Sequence, residues 1–169
     1  MVSLSIARPA VARPLGVLVV CMGNICRSPM AEGVLRARLE EAGLATKVHV
    51  DSAATGRSHE GHPPDERAVA CAGKHGVDIS AQRARVLELE DFSEFDIILC
   101  ADRTILHDAR IRKPRTAHAD VELMLEWSGM GKKDVPDPYY GTPRDFERAW
   151  KLVDAAATGI VERIQQGRF

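Results

Sequence analysis

Short runs of apolar, often β-branched residues alternate along the chain with longer segments in which apolar residues recur every three or four positions. The short runs are typical of buried parallel strands. They predict strands at 16–20, at 48–50, at 95–100 and, with the weakest pattern, near Thr116. The longer segments predict helices from Pro29 to about Ala42, from Pro63-Pro64-Asp65 to Gly76, from Arg103 onward, and from Thr142 onward.

This alternation predicts an α/β fold: a single domain with a central parallel sheet of about four strands and helices on both faces. Ligands in such folds bind beyond the C-terminal ends of strands, so the turn after the first strand is the first candidate site. We expect the domain to span residues 15–169. Residues 1–14 contain arginine and proline but no acid and no long apolar run, and are expected to form a flexible tail rather than an export signal.

The turn after the first strand has an unusual composition and reads Cys21-Met22-Gly23-Asn24-Ile25-Cys26-Arg27-Ser28-Pro29. A strand-to-helix turn directs backbone N–H groups into one concavity at the positive end of the helix dipole, which is a site for an anion. A thiol at Cys21 would ionise readily there, and the planar fork of Arg27 matches two oxygens of a tetrahedral oxyanion. Gly23 permits close approach of a ligand, and Asn24 tolerates a left-handed backbone. The segment predicts a nucleophile facing a bound phosphate; the alternative is an ordinary turn with an inert, buried cysteine.

Composition narrows the classes of protein to consider. The 169 residues are 45% hydrophobic with a formal net charge of −1, which predicts one globular domain and gives no reason to expect nucleic-acid or membrane binding. Four cysteines are too few for a disulfide scaffold, so a reducing, cytoplasmic setting is expected, with Cys71 and Cys100 as small core residues. The segment His59-Glu60-Gly61-His62 has the composition of a loop, and no metal site is predicted there.

Two motifs resemble those of the low-molecular-weight protein tyrosine phosphatases. The string V-C-M-G-N-I-C-R-S-P-M-A-E is similar to the phosphate-binding loop of that family, and Asp137-Pro138-Tyr139-Tyr140-Gly141 to its acidic motif. The segments 51–55 and 61–65 lie between them in the family's order, so the resemblance runs from about Leu15 to the C-terminus. It implies a protein-tyrosine phosphatase that hydrolyses phosphotyrosine and small aryl phosphates without a metal or other cofactor.

The resemblance also assigns catalytic roles. It implies that Cys21 attacks phosphorus to form a phosphocysteine, that Arg27 and the loop amides bind the phosphate oxygens, and that Asp137 is the general acid and then the general base. From the residues alone, Asp137 could equally be a turn aspartate that bonds its own backbone. Asp134 is the competing acid and ranks second, because the D-P-Y-Y match fixes the register.

Further residues are assigned to the substrate pocket or to its support. The expected substrate-binding set is Met22, Gly23, Asn24, Ile25, Cys26, Ser28, Ser58, Tyr139 and Tyr140, with Ser52 and Asp102 as supporting residues. Ser28 is expected either to cap the helix or, as the resemblance implies, to donate to the Cys21 sulfur. The resemblance implies that Asn24 and Ser52 brace the loop and places Asp102 near Arg27; the alternative for Asp102 is an acid in solvent.

Two positions bear on regulation and specificity. Cys26 is either a small buried residue or, as the resemblance implies, a thiol that captures oxidised Cys21 as a disulfide and makes the enzyme redox-sensitive. Many family members carry an aromatic residue where this chain has Ser58, so one wall of the substrate slot is expected to be open here.

Two other functions are compatible with this loop. A thiol-coupled arsenate reductase has a similar C-x-G-N-x-C-R-S segment but needs two further, closely spaced cysteines, whereas Cys71 and Cys100 are far apart in sequence. A catalytically silent phosphate-binding protein would not need Cys21, Arg27 and Asp137 together. The expected partner of a monomeric phosphatase is a phosphotyrosine-containing protein, which by analogy in bacteria is a tyrosine autokinase.

Overall fold

Four parallel strands form one sheet in the computed structural model, which describes residues 13–169. The strands are β1 (Leu15–Cys21), β2 (Val48–Ala54), β3 (Ile97–Cys100) and β4 (Asp120–Leu123), in the spatial order β2-β1-β3-β4. The predicted fold class is confirmed. The fourth strand begins at Asp120 rather than near Thr116, because the chain turns at that point through a bond from Ala117 N to Pro114 O.

Six helices connect and flank the strands within the described residues. They are α1 (Arg27–Glu41), α2 (Glu66–Lys74), α3 (Asp91–Glu94), α4 (Arg103–Arg112), α5 (Met124–Trp127) and α6 (Pro143–Gln165). The single-turn helices α3 and α5 have too few residues to show a helical period, and the sequence did not predict them. Helix α1 begins two residues before the predicted Pro29, which places Arg27 in its first turn.

The central strand β1 is buried on both faces, which explains its unbroken apolar run. Val17 and Val19 belong to the apolar layer that includes α1, α2 and α6, whereas Leu18 and Val20 belong to the layer that includes α3 and α4. The predicted apolar stripe of α6 faces the first layer, with Phe146 and Trp150 fully buried. The C-terminal end of β1 therefore lies between two packed layers.

The expected flexible tail falls largely on residues 1–12, which lie outside the described residues. Arg13, also within the expected tail, donates to the carbonyl oxygen of Glu94 at 2.9 Å and to the Asp96 carboxylate at 2.6 Å, and its Nη2 lies 3.3 Å from His118 Nε2. Among residues 13–169, no helix combines the length and the apolar character that a bilayer crossing requires.

Two helical glycines provide a matched test of the packing. A Cβ atom at Gly33 would lie 2.5 Å from Ile79 Cγ2 and 2.9 Å from Val77 Cγ1, whereas one at Gly73 would meet nothing within 4 Å. Because β-branched side chains cannot easily move aside, the clash in Gly33→Ala should lower the free energy of unfolding by about 1–3 kcal/mol. The better helix propensity of alanine should offset about 0.5–1 kcal/mol of this loss. Gly73→Ala has no such clash, so it should raise the free energy of unfolding by the helix contribution alone. Urea denaturation of both variants measures this; equal stability changes would contradict the packing of α1 against Val77 and Ile79.

Candidate active site

Cys21 is the last residue of β1, and the chain turns from it directly into α1. The turn is closed at Asn24, the only non-glycine residue of the described chain with a positive φ, 54°. Two backbone bonds attach the turn to the segment after β2: Thr55 N donates to Cys21 O and Gly56 N donates to Met22 O, both at 3.0 Å. The loop is therefore a fixed extension of the sheet.

A buried network of polar side chains supports the loop from behind. The Asn24 amide donates to Ser28 Oγ at 2.7 Å and to Ser52 Oγ at 2.9 Å, and its carbonyl oxygen accepts from Arg85 N at 3.1 Å. Ser52 in turn donates to Glu32 Oε1 at 2.8 Å, and burial raises the pKa of that carboxyl. The predicted bracing contacts of Asn24 and Ser52 are thus present, and they extend to Glu32, which the sequence did not indicate.

Ser28 contacts the candidate nucleophile directly, with 3.0 Å between Ser28 Oγ and Cys21 Sγ. Since Ser28 Oγ already accepts from Asn24, its own hydrogen is free for the sulfur. Ser28 does not cap α1: the N-cap residue is Cys26, and no side chain closes that end of the helix. Of the two expected roles, the geometry therefore provides the hydrogen bond to sulfur, which stabilises a thiolate.

Arg27 is buried and held in one orientation. Its Nη1 donates to Asp102 Oδ2 at 2.7 Å and to the carbonyl oxygen of Val135 at 2.9 Å. Asp102 is itself fixed, because its other oxygen accepts from Ile105 N as the N-cap of α4. Burial disfavours the charge, but the nearby Cys21 sulfur and the Asp102 hydrogen bond prevail and raise the pKa of Arg27 above its usual value. The guanidinium therefore stays charged beside the sulfur.

The two candidate acids have different environments. Asp134 accepts three hydrogen bonds from Arg103, from the backbone N at 3.0 Å and from the guanidinium at 3.1 and 3.2 Å, and it does not line the cavity. Asp137 lines the cavity with its side chain 45% exposed and 3.7 Å from Arg27 Nη2. Asp137 also accepts from Tyr139 N at 3.1 Å, so it is at once the turn aspartate and the acid beside the arginine.

These groups surround one cavity of about 210 Å³. It is lined by Cys21, Met22, Gly23, Ile25, Cys26, Arg27, Gly56, Ser58, His59, Asp137, Tyr139 and Tyr140. Of the expected substrate-binding residues, only Asn24 and Ser28 are absent from the lining, because their side chains are buried behind the loop. A thiol, a fixed cation and a half-exposed acid around one cavity can perform nucleophilic displacement at a tetrahedral anion.

The cavity lining and the contacts that support it include residues that the sequence did not assign. His59 lies beside Ser58, with its ring centroid 5.9 Å from that of Tyr139. Arg67 of α2 fixes the segment 137–141, the acid loop, by donating to the Tyr139 carbonyl at 2.9 Å. Its ion pair with Asp65 lowers the pKa of that carboxyl. Adjacency to Ser58 was the only sequence signal for His59. Arg67 had none, because its contact spans 72 residues.

The remaining cysteines are free thiols in separate environments. Cys26 is buried below the loop, and this burial raises the pKa of its thiol, so it is protonated. Its capture of an oxidised Cys21 stays a prediction. Cys71 and Cys100 lie in the two different apolar layers, on opposite faces of the sheet. They cannot form the closely spaced pair that a thiol-coupled arsenate reductase needs.

Comparison with known proteins adds a second line of evidence. A family model described as low molecular weight phosphotyrosine protein phosphatase matches residues 16–168. The chain is 41% identical over 151 residues to a low molecular weight protein-tyrosine-phosphatase of Streptomyces coelicolor, covering 87% of this chain and 92% of that one. It is 40% identical over 149 residues to the human low molecular weight phosphotyrosine protein phosphatase, covering 87% and 94%. A crystal structure of a protein tyrosine phosphatase from Entamoeba histolytica superposes with a TM-score of 0.86 at 30% identity, covering 92% and 99%.

The fixed orientation of Arg27 leads to a binding prediction. A lysine keeps the charge but cannot keep the Asp102 and Val135 bonds and still present a planar fork to an oxyanion. We expect Arg27→Lys to weaken inorganic phosphate binding by about 10–100-fold, the equivalent of one charged hydrogen bond. Isothermal titration calorimetry measures this, with Arg103→Lys, in an exposed ion pair, as the matched control. Equal affinities of the two variants would contradict the role of Arg27.

Proposed function

The chain belongs to the low molecular weight phosphotyrosine protein phosphatase family, and from this premise we propose that it hydrolyses phosphotyrosine in proteins, and small aryl phosphates, through a phosphocysteine intermediate. The observation that carries the proposal is the convergence of Cys21, Arg27 and Asp137 on one cavity. Each of the three is supported by a separate element: β1, the first turn of α1, and the loop before α6.

In the first step, the Cys21 thiolate attacks phosphorus in line with the phenolic oxygen. The S–P bond forms as the P–O bond breaks, and the leaving electron pair is neutralised by the proton of Asp137. Arg27 and the loop N–H groups bind the three remaining oxygens, over which the charge of the transferring group is spread in the transition state. Because Arg27 is already held by Asp102 and Val135, little reorganisation is needed at that moment.

In the second step, water attacks the phosphocysteine and transfers a proton to the Asp137 carboxylate. The P–S bond breaks, inorganic phosphate is released and Cys21 leaves as a thiolate. The Ser28 hydroxyl, 3.0 Å from the sulfur, stabilises that leaving group. Asp137 is exposed enough to reach both the phenolic oxygen and the water.

The cavity walls suit a flat ring attached to the phosphate. Tyr139 and His59, whose ring centroids lie 5.9 Å apart, supply aromatic lining, and the small, exposed side chain of Ser58 leaves the wall beside them open to solvent. The nearly fully exposed Tyr140 and the exposed Met22 lie at the rim, where they can contact residues that flank a phosphotyrosine. The proposed partner is a phosphotyrosine-containing protein, in a bacterium a tyrosine autokinase. An active thiolate fits a reducing, cytoplasmic setting.

Substitution of the nucleophile tests the covalent mechanism. We expect Cys21→Ser to abolish turnover of p-nitrophenyl phosphate in the presence of a metal chelator while phosphate binding stays measurable, because Arg27 and the loop amides remain. The matched control is Cys71→Ala, which removes a buried thiol outside the cavity without burying a hydroxyl and should retain turnover. Vanadate should inhibit the wild type. Appreciable activity of Cys21→Ser would contradict the phosphocysteine.

Substitution of the acid tests its assignment. We expect Asp137→Asn to slow hydrolysis of phenyl phosphate by about 10²–10⁴-fold and of p-nitrophenyl phosphate less, because nitrophenolate leaves without a proton. The control is Asp134→Asn, whose carboxylate is bound by Arg103. Steady-state kcat values on both substrates decide the matter. An equal loss on both, or a larger loss from Asp134→Asn, would assign the acid elsewhere.

A further inference from the structure

Three potential metal ligands meet between α2 and α6, outside the catalytic cavity. Cys71 and His75 are four residues apart, so both project from one face of α2 and its C-terminal cap. Glu147 reaches them from the early part of α6. Glu147 Oε1 lies 3.4 Å from Cys71 Sγ, Glu147 Oε2 lies 2.9 Å from His75 Nε2, and all three donor atoms are within 4.8 Å of one another.

The surroundings hold these donors in place and leave the cluster open to solvent. The His75 ring stacks on Trp150, with centroids 4.9 Å apart and planes 9° from parallel, which fixes the direction of Nε2. The bond from His75 lowers the pKa of Glu147, so its side chain is a carboxylate. Cys71 is buried, but His75 and Glu147 are each about one-third exposed. A cavity of about 140 Å³, lined by Cys71 and Glu147 among others, gives access.

We propose that Cys71, His75 and Glu147 bind one zinc ion, with water as the fourth ligand. Sulfur, imidazole and carboxylate donors together suit zinc, whereas magnesium and calcium take oxygen ligands. Tetrahedral zinc with ordinary bond lengths separates such donors by about 3.3–3.6 Å. The Glu147 oxygens lie 2.9 Å from His75 Nε2 and 3.4 Å from Cys71 Sγ, near these values, whereas the ligand atoms as a set lie within 4.8 Å of one another, so the widest pair must close by up to about 1.2 Å. A thiolate and a carboxylate together balance the charge of the ion.

Binding must displace the proton of Cys71. Burial and the neighbouring Glu147 carboxylate raise the pKa of that thiol to about 12, while Lys74 acts in the opposite direction. Zinc coordinates the thiolate form of cysteine, so binding is coupled to loss of this proton. Arg67 also lines the access cavity, and its charge is a further cost for a cation.

Such an ion would stabilise the part of the fold that carries the acid loop. It would join α2 to α6 by direct bonds. Helix α6 begins just after the acid loop, and Arg67 of α2 donates to the carbonyl of Tyr139 in that loop at 2.9 Å. The zinc cluster shares no residue with the lining of the catalytic cavity. The inference therefore does not depend on the proposed phosphatase mechanism.

The experiment is a titration of metal-free protein with zinc chloride by isothermal titration calorimetry. It is made in the Cys21→Ser variant, so that the catalytic thiol does not contribute. We expect one zinc per chain. Changes in the outer shell of metal sites typically cost about 10–100-fold in affinity, so loss of a direct ligand through Cys71→Ser or His75→Gln should cost at least about tenfold.

The matched control is His107→Gln, an exposed histidine of α4, which should leave zinc affinity unchanged. In thermal melts, zinc at about 100 times its Kd should raise the Tm of Cys21→Ser by about 5–10 °C. The same zinc concentration should not raise the Tm of the variant that also carries His75→Gln. His75 is partly exposed, so this variant is expected to fold even if Cys71→Ser does not. Failure of Cys21→Ser to bind zinc, or binding unaffected by both ligand changes, would overturn the proposal and show a hydrogen-bonded cluster only.

Discussion

The hydrogen bonds of one buried side chain, Asn24, hold the catalytic loop in its shape. The loop turns through a left-handed residue, and its amide and carbonyl groups bond to Ser28, Ser52 and the backbone of Arg85. A buried polar group left without its partner costs about 1–3 kcal/mol, so each of these contacts constrains the others. The position of the Cys21 sulfur depends on this arrangement, because Ser28 receives one bond from Asn24 and gives its own to the sulfur.

The cation of the site depends on a second, connected set of contacts. Arg27 reaches from α1 to Asp102, just after β3, and to the carbonyl oxygen of Val135, in the segment between α5 and α6. Three segments that meet at one edge of the sheet thus hold the Arg27 guanidinium in place beside the Cys21 sulfur. The acid alone is exposed. This contrast suits the proposed chemistry, because the phosphate needs fixed donors throughout whereas the acid must serve two different oxygens.

The central strands and the catalytic loop were predictable because their signals are local. An unbroken apolar run, a cysteine and an arginine at fixed spacing all lie within 16–28. The fourth strand was misplaced because it has only four residues at the sheet edge, with alternating rather than continuous burial. Asn24 and Ser28 were expected to contact the substrate, but their side chains point behind the loop and are buried. The contributions of Glu32, Arg67 and the Val135 carbonyl come from distant segments, and no spacing in the sequence indicates them.

The proposed mechanism requires a covalent bond between Cys21 and the phosphoryl group, and rapid quench measures that bond most directly. Wild-type protein is mixed with a ³²P-labelled aryl phosphate, quenched in acid within the first turnovers, digested and analysed by mass spectrometry. We expect the label on the peptide that contains Cys21, with the phosphoryl group on its sulfur. Turnover without a labelled peptide, or a label on another residue such as His59, would contradict it.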